Sequence, residues 1–381
     1  MRTLIACDKF RGSLAAAEAN AAIERALRDS RLTVASVSTI PIADGGEGTL
    51  AALASPQSEI VHSPARDPFG RRQDAAWLHD APRARAVIEM AAVAGHGAAV
   101  GHGYDPDRAT SAGVGDLILA AMERGVREVV VALGGSITVD GGAGALEALG
   151  ARYLKADGTV LENAAGRALS DIARVDLDGL DPRAADLSIV IAADVDNPLT
   201  GERGAAAVFG PQKGVAADAV TGFDRALGVF DTAVAAATGR SSYADMPFAG
   251  AAGGMMTGLS AIAPTTARDG FALVAEHHEL DRQIAGAGLV VTGEGSLDAQ
   301  SLGGKGPVAI ARIAAAAGVP AIAFAGRLMV DAEALAAHGI VAGFSISRGP
   351  QSLEEALGSA PAALYETALA AFNTMAVGRS S

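Results

Sequence analysis

The stretch from Val129 to Gly144 constrains the fold of this chain more than any other. A continuous run of strand-forming apolar residues stops at Gly134-Gly135-Ser136, and Asp140 with a second glycine pair then leads into an alanine-rich segment. This pattern predicts a buried strand, a glycine loop and a helix. Because such a loop brings backbone N–H groups and a helix N-terminus close to an anion, it is either a phosphate-binding loop or a plain strand-to-helix turn. Asp140 is either a ligand-site acid or a helix cap.

Other predicted strands end in charged residues. Three of them share this pattern: Arg2–Cys7 is followed by Asp8, Lys9 and Arg11, Leu187–Ala193 by Asp194 and Asp196, and Gly288–Thr292 by Glu294. Short strands that alternate with helices are typical of α/β proteins, in which the carboxyl ends of parallel strands meet at one edge of the sheet. We therefore expect these charged residues to gather in a shared cleft.

A change of pattern after Asp67 indicates a second domain. The segments Arg71–His79 and Arg83–Met90 flank Asp80-Ala81-Pro82 and predict an antiparallel hairpin. A hairpin does not belong in a simple strand–helix–strand repeat, so a domain with a mixed sheet begins near this point.

Charge and hydropathy exclude several classes of protein. The net charge of −13 argues against a general nucleic-acid binder, which needs a basic face. No apolar run reaches the roughly 18–20 residues of a membrane span, and Asp8, Lys9 and Arg11 interrupt any signal-peptide pattern. We expect a cytoplasmic protein. Because Cys7 is the only cysteine, an internal disulfide is impossible.

The few lysines stand in glycine-rich surroundings. There are only four among 30 basic residues, and Lys9, Lys213 and Lys305 lie beside glycine or in glycine-flanked loops. A compact ammonium group there suits a small anion, although chance placement on exposed turns would give the same pattern.

A loop at residues 44–49 combines carboxylates with glycines. Asp44 and Glu47 surround Gly45 and Gly46 just before a predicted helix. These oxygens are suited to a divalent cation or a polyol, and the alternative for Glu47 is a favourable place near the helix N-terminus.

Backbone N–H groups, isolated lysines and carboxylates together favour phosphoryl transfer from a magnesium nucleotide. The chain has neither GxxxxGK[ST] nor GxGxxG, so a P-loop enzyme and an ordinary dinucleotide-binding enzyme are not indicated. The residues by themselves predict an α/β enzyme or binding protein for an anionic ligand.

A family resemblance takes the prediction further. The chain resembles the class I glycerate kinases, and the similarity rests on motifs that span almost the whole sequence in the expected order: Asp8-Lys9-Phe10-Arg11-Gly12-Ser13-Leu14, Ala43-Asp44-Gly45-Gly46-Glu47-Gly48-Thr49, Leu133-Gly134-Gly135-Ser136, Asp140-Gly141-Gly142-Ala143-Gly144, Asp194-Val195-Asp196-Asn197-Pro198-Leu199, Gly210-Pro211-Gln212-Lys213-Gly214 and Gly293-Glu294-Gly295-Ser296-Leu297-Asp298.

The resemblance implies an α/β fold of two domains. One is flavodoxin-like with a mostly parallel sheet, and the other is a mixed-sheet domain inserted into it. We predict the flavodoxin-like domain at residues 1–65 and 285–381, with 105–145 as a further candidate part, and the inserted domain at 66–284.

The resemblance also implies ATP- and Mg²⁺-dependent phosphorylation of D-glycerate, usually at the 2-hydroxyl, in glyoxylate or sugar-acid breakdown. We expect glycerate to bind in a cleft between the domains. The sequence does not predict an oligomeric state. Two alternatives remain. One is phosphorylation at the 3-hydroxyl, and the other is a non-catalytic sensor of a sugar acid.

Roles for single residues follow from combining the motifs with this chemistry. The predicted set is Asp194 as the base, with Lys9 and Arg11 holding the glycerate carboxylate; Gly134, Gly135, Ser136, Lys213 and Lys305 at the nucleotide phosphates; Asp8, Asp44, Glu47, Asn197 and Glu294 at the substrate; and Asp44 and Asp196 at Mg²⁺.

Overall fold

The computed structural model describes residues 1–100, 103–304 and 306–377. Its contacts divide the chain into two compact units. The first joins Met1–Asp44 to the segment from Phe271 onwards, and the second is Gly45–Gly270. The domain bounds predicted at 65/66 and 284/285 stay predictions.

The elements up to the middle of the chain are these: β1 (Arg2–Cys7), α1 (Ala16–Asp29), β2 (Ser36–Thr39), α2 (Thr49–Ala52), β3 (Glu59–Arg66), β4 (Arg72–Asp80), β5 (Arg85–Glu89), α3 (Ala91–Ala94), α4 (Ala112–Glu123), β6 (Glu128–Ala132), α5 (Ala143–Ala148), β7 (Arg152–Leu154), β8 (Arg174–Asp176) and β9 (Ser188–Ala193).

The remaining elements are these: α6 (Ala205–Phe209), α7 (Val220–Thr238), α8 (Met255–Leu259), β10 (Thr265–Asp269), α9 (Gly270–His277), α10 (Leu280–Ala285), β11 (Leu289–Leu297), α11 (Gly306–Ala316), β12 (Ala321–Leu328), α12 (Ala332–Ala337), β13 (Ile340–Ser345) and α13 (Leu353–Val377). Among the described residues, no helix is both long and apolar enough to cross a membrane.

The first unit is built on a five-stranded sheet whose pairings are all parallel. Its spatial order is β13-β12-β11-β1-β2. Counted along the unit, this is the flavodoxin order 2-1-3-4-5, in which the strand order reverses between β1 and β11. The crevice outside the carboxyl ends of strands at such a reversal is where open α/β sheets bind ligands.

Helices α1 and α13 pack together on this sheet. Five of the six residues of β1 are buried, which is typical of a parallel strand covered on both faces. Cys7, Phe324 and Phe372 are fully buried in the core that results.

The second unit contains a six-stranded mixed sheet in the order β10-β9-β6-β5-β4-β3. Strands β10, β9, β6 and β5 are parallel, whereas β4 pairs antiparallel with both β5 and β3. The predicted hairpin is therefore confirmed, and β3 extends it. With one parallel-dominated and one mixed sheet, the predicted α/β fold class is confirmed as well.

Strand β11 is longer than the sequence predicted. The expected strand ended at Thr292, but the observed one continues to Leu297 and places Glu294 within the ladder, opposite Ala325. Its glycines do not end the strand. A Cβ atom on Gly293 would lie 2.4 Å from the Phe324 carbonyl oxygen, so glycine is needed there because a neighbouring strand packs closely.

Candidate active site

Three carboxylates of the first unit lie around the strand reversal, and we call Asp8, Asp44 and Glu294 the acidic cluster. Asp8 directly follows β1, and its backbone N–H donates to the Gly293 carbonyl oxygen at 2.9 Å. Asp44 ends a segment that continues beside β1, because the Ile42 N–H donates to the Cys7 oxygen. The fold thus brings together three acids that are far apart in sequence.

Lys9 lies against two members of the acidic cluster. Its Nζ atom is 3.9 Å from Asp8 Oδ1 and 3.9 Å from Asp44 Oδ1. Its backbone N–H also donates to Asp8 Oδ1 at 2.6 Å. One ammonium group therefore offsets part of the negative charge of two predicted substrate ligands.

Burial shifts the acidic cluster towards its neutral form. The pKa of Asp8 rises to about 6 because burial outweighs the opposing effect of Lys9. Burial likewise raises the pKa of Glu294 to about 7, with smaller contributions from Asp8 and other nearby acids. The Oε1 atom of Glu294 is buried and has no hydrogen-bond partner among the described residues. These oxygens are suited to a hydroxyl group or a hard cation that would offset the cost of burial.

Arg11 is exposed, and its charge makes a small contribution that lowers the pKa of Asp8. It lines a groove of about 490 Å³ in the first unit together with Gly295, Arg327 and Ile346. The groove therefore carries two guanidinium groups at the carboxyl ends of β1, β11, β12 and β13.

A small pocket of the second unit contains the predicted phosphate loop. We call it the lysine pocket, and its volume is about 110 Å³. Its lining includes Gly134, Gly135, Ser136, Asp194 and Lys213, with His96, Gln212 and Phe209 at its sides. Because ligand pockets usually measure about 300–1,000 Å³, this one has room for a group within a ligand and not for a whole nucleotide.

Lys213 is the buried cation of the lysine pocket. The residue is 3% exposed, and its Nζ donates to Ser136 Oγ at 3.0 Å and to the Thr138 carbonyl oxygen at 2.9 Å. Burial lowers the pKa of Lys213 to about 7, and the attraction of Asp140 opposes this only in part. An anionic ligand would favour the charged form and would gain a point charge in a site shielded from water.

Asp140 is a helix cap. Its carboxylate accepts hydrogen bonds from the N–H groups of Gly142 and Gly144 at the start of α5 and from the N–H and hydroxyl of Ser111 beside α4. The chain's own anion thus occupies the position that we considered for a phosphate. Any phosphate in the lysine pocket must be bound by other groups than the N-terminus of α5.

Gly134 and Gly135 are needed for different reasons. A Cβ atom on Gly134 would lie 2.5 Å from the Gly46 Cα, and its N–H donates to the Gly45 oxygen at 3.1 Å. Gly134 therefore joins two loops. Gly135 has a left-handed φ of +77° and is exposed in the lysine pocket, where its backbone can approach a ligand.

The other predicted residues take different positions. Glu47 and Asp196 are exposed, and Asp196 lies 3.4 Å from the exposed Arg203. Asn197 donates from Nδ2 to the Arg203 carbonyl oxygen at 2.8 Å. Lys305 lies outside the described residues. Within the described part of the chain, no group of three His, Cys, Asp or Glu side chains has the geometry to hold a metal ion.

Sequence reasoning missed Glu89. This buried residue ends β5, and its Oε1 accepts hydrogen bonds from the N–H groups of Gly48 and Leu50, both at 2.9 Å. The available signal was an acid that ends the apolar run of residues 86–88.

Comparison with known proteins identifies the family. The sequence profile described as the glycerate kinase family matches residues 3–376. The chain belongs to the glycerate kinase family. It is an enzyme of this kind, which confirms the resemblance predicted from the motifs.

Individual relatives match over nearly their full length. A glycerate kinase from Bacillus subtilis (strain 168) is 39% identical over 369 residues, which cover 97% of this chain and 96% of the relative. A glycerate 2-kinase from Escherichia coli (strain K12) is 38% identical over 357 residues, 93% of each protein. The crystal structure of a protein from Salmonella typhimurium LT2, assigned as a glycerate kinase 2, has a TM-score of 0.85 and 37% identity and covers 100% of both chains.

Proposed function

We propose that this enzyme transfers the γ-phosphoryl group of ATP to the 2-hydroxyl of D-glycerate, giving 2-phosphoglycerate and ADP, in the breakdown of glyoxylate or sugar acids. The observation that carries the proposal is the lysine pocket, in which a buried ammonium, an exposed glycine backbone and Asp194 line one cavity. The Escherichia coli relative, named a glycerate 2-kinase, supports the 2-position.

In the proposed reaction, the phosphates of ATP lie against Gly134, Gly135 and Ser136. Asp194 takes the proton of the attacking hydroxyl, whose oxygen forms the new bond to the γ-phosphorus while the bond to the β–γ bridging oxygen breaks. Lys213 stabilises the negative charge that develops on the transferred group. Lys305 remains a predicted second cation.

The acidic cluster is proposed to bind the hydroxyl groups of glycerate, with Lys9 or Arg11 at its carboxylate and Glu47 and Asn197 as further polar contacts. Asp44 is the proposed Mg²⁺ ligand, and Asp196 remains a predicted second one. Kinase magnesium sites commonly use one or two carboxylates plus phosphate oxygens, so the Asp44 carboxylate would hold this ion together with the phosphates of ATP and needs no group of three acids. When bound, Mg²⁺ neutralises phosphate charge.

One coupled assay tests the proposal against its alternatives. The protein is incubated with D-glycerate and Mg-ATP, enolase is added, and phosphoenolpyruvate is followed by absorbance. Immediate product is expected. Product that requires added phosphoglycerate mutase would instead indicate phosphorylation at the 3-hydroxyl, and the absence of ADP would favour a non-catalytic sensor.

A further inference from the structure

Glu89 lies under two loops that the proposed function uses. It is the last residue of β5 and pairs in register with Ala132, which lies two residues before Gly134 and the Gly134–Ser136 segment. The side chain is buried, with 8% of the residue exposed. A buried carboxylate has to be stabilised by hydrogen bonds, so its partners show what it does.

Two of those partners are backbone amides of the loop that contains Glu47. One oxygen, Oε1, accepts both the Gly48 N–H and the Leu50 N–H at 2.9 Å. A charged acceptor makes stronger hydrogen bonds than a neutral one, and here it holds the residues on either side of Thr49. Glu89 therefore fixes the loop immediately after Glu47.

The same loop is fixed at its other end by the phosphate loop. Gly134 donates its N–H to the Gly45 oxygen and packs on Gly46 without room for a side chain. The chain that follows Glu89 also supports the phosphate loop, since the Ile137 N–H donates to the Ala94 oxygen at 2.9 Å. The position of each loop consequently depends on the other and on the end of β5.

We infer that Glu89 is a positioning residue for catalysis: its Oε1 atom holds the Gly45–Thr49 loop in the place from which Glu47 and the phosphate loop act. It does not need to touch a substrate. The expected effect on kinetics rests on the proposed function. The expected effect on the loop rests only on the two hydrogen bonds, so the two effects can be tested separately.

Two variants of similar size separate the acceptor from the bulk of the side chain. Glu89→Gln keeps an oxygen at the Oε1 position, whereas Glu89→Leu has no acceptor. Since a misplacement of about 1 Å can cost roughly 10²-fold in rate, kcat of Glu89→Leu is expected to fall by about 10²-fold, more than KM for ATP changes. The kcat of Glu89→Gln should stay within about fivefold of the parent value, because the neutral acceptor still holds the loop.

Asp231→Asn is the matched control for damage to a buried acid. Asp231 is 1% exposed and accepts hydrogen bonds from Arg240, Ser242 and Tyr243, which belong to neither loop. Asp231→Asn should lower the melting temperature and leave kcat unchanged. Equal kcat values for Glu89→Leu and Glu89→Gln would overturn the inference, as would a kcat loss no larger than that of the control.

Hydrogen exchange provides a readout that needs no activity. Exchange of the Gly48 and Leu50 amides is expected to accelerate by about tenfold or more in Glu89→Leu and to stay near the parent rate in Glu89→Gln. If the parent protein fails to phosphorylate glycerate, the proposed function fails while this measurement still decides whether Glu89 holds the loop. Unchanged exchange in both variants would refute the positioning role.

Discussion

The acidic cluster and the lysine pocket are opposite in charge and alike in how burial acts on them. Burial raises the pKa values of Asp8 and Glu294 and lowers that of Lys213, so each region is shifted towards its neutral form. The acidic cluster lies where the order of parallel strands reverses, whereas the second sheet follows chain order without a reversal. The side chains of the lysine pocket are therefore positioned by loops, whereas those of the acidic cluster are positioned by the ends of strands.

The largest expected effect concerns Asp194, the proposed base in the lysine pocket. Asp194→Asn should lower kcat by about 10²–10⁴-fold, because a well-placed general base contributes about that much. Steady-state kinetics of glycerate phosphorylation measure it, with circular dichroism to confirm folding. A near-normal kcat in a folded variant would show that Asp194 is not the base. The lysine pocket would then contribute only to binding.

Lys213→Met should lower kcat/KM for ATP by about 10²–10³-fold, because it removes the cation proposed to stabilise developing negative charge. It also changes the pH dependence of stability. The folded pKa of about 7 lies below the ordinary lysine value of 10.5, so between these values the unfolded chain binds the proton that the folded chain has lost. The parent protein should gain stability as pH rises through this window.

Thermal unfolding from pH 7 to pH 10 tests the second part of that prediction. The variant should lack the gain, and identical pH profiles for parent and variant would show that Lys213 stays charged when buried.

The acidic cluster should show the opposite pH dependence. Asp8 has a folded pKa of about 6 against an ordinary value of 3.8, so the folded state retains a proton that the unfolded chain loses in this window. Stability should fall as pH rises from about 4 to about 6 and stay lower above it. Asp8→Asn removes the titration and should stabilise the ligand-free protein at pH 8 by about 2–3 kcal/mol, with little difference at pH 3.

Chemical denaturation at the two pH values measures this difference. The parent protein should also lose stability through the titration of Glu294, up to its folded pKa of about 7. Glu294→Gln should remove that loss. A destabilised Asp8→Asn variant at pH 8 would mean that Lys9 keeps the carboxylate charged and favourable.

The smallest effects separate the two glycines of the phosphate loop. Gly135→Ala meets only the Ala91 Cβ at 3.4 Å, so its main cost is the left-handed backbone, about 1–2 kcal/mol. Gly134→Ala should cost more, because its Cβ would lie 2.5 Å from the Gly46 Cα. Unfolding free energies test the ranking, and the reverse order would contradict the close contact between the two loops.

Parts of this organisation could be predicted from sequence. Charged residues directly after apolar strands predicted the place of Asp8 and Asp194, because a parallel strand delivers its next residue to one edge of the sheet. Repeated apolar runs predicted the α/β class, and the segments around Asp80 predicted the hairpin. These features depend on local pattern, which a single sequence contains.

Other parts depend on distant neighbours and could not be predicted. Gly293 suggested the end of a strand, but glycine is required there by the carbonyl of Phe324, a residue of another strand. Asp140 could be a ligand or a cap until Ser111 was known to lie beside it. Glu89 gave no signal beyond its position, because its partners lie about 40 residues earlier in the chain.

The place of Glu294 within β11 has a consequence for engineering the substrate range. A residue in a loop can move its backbone when it is replaced, whereas position 294 is held by the ladder opposite Ala325. In the proposed substrate site, a library at this position would change the side chain that faces glycerate while the main chain stays in register. If position 294 binds the acceptor as proposed, strand β11 provides a rigid position at which variants for acceptors other than glycerate can be selected.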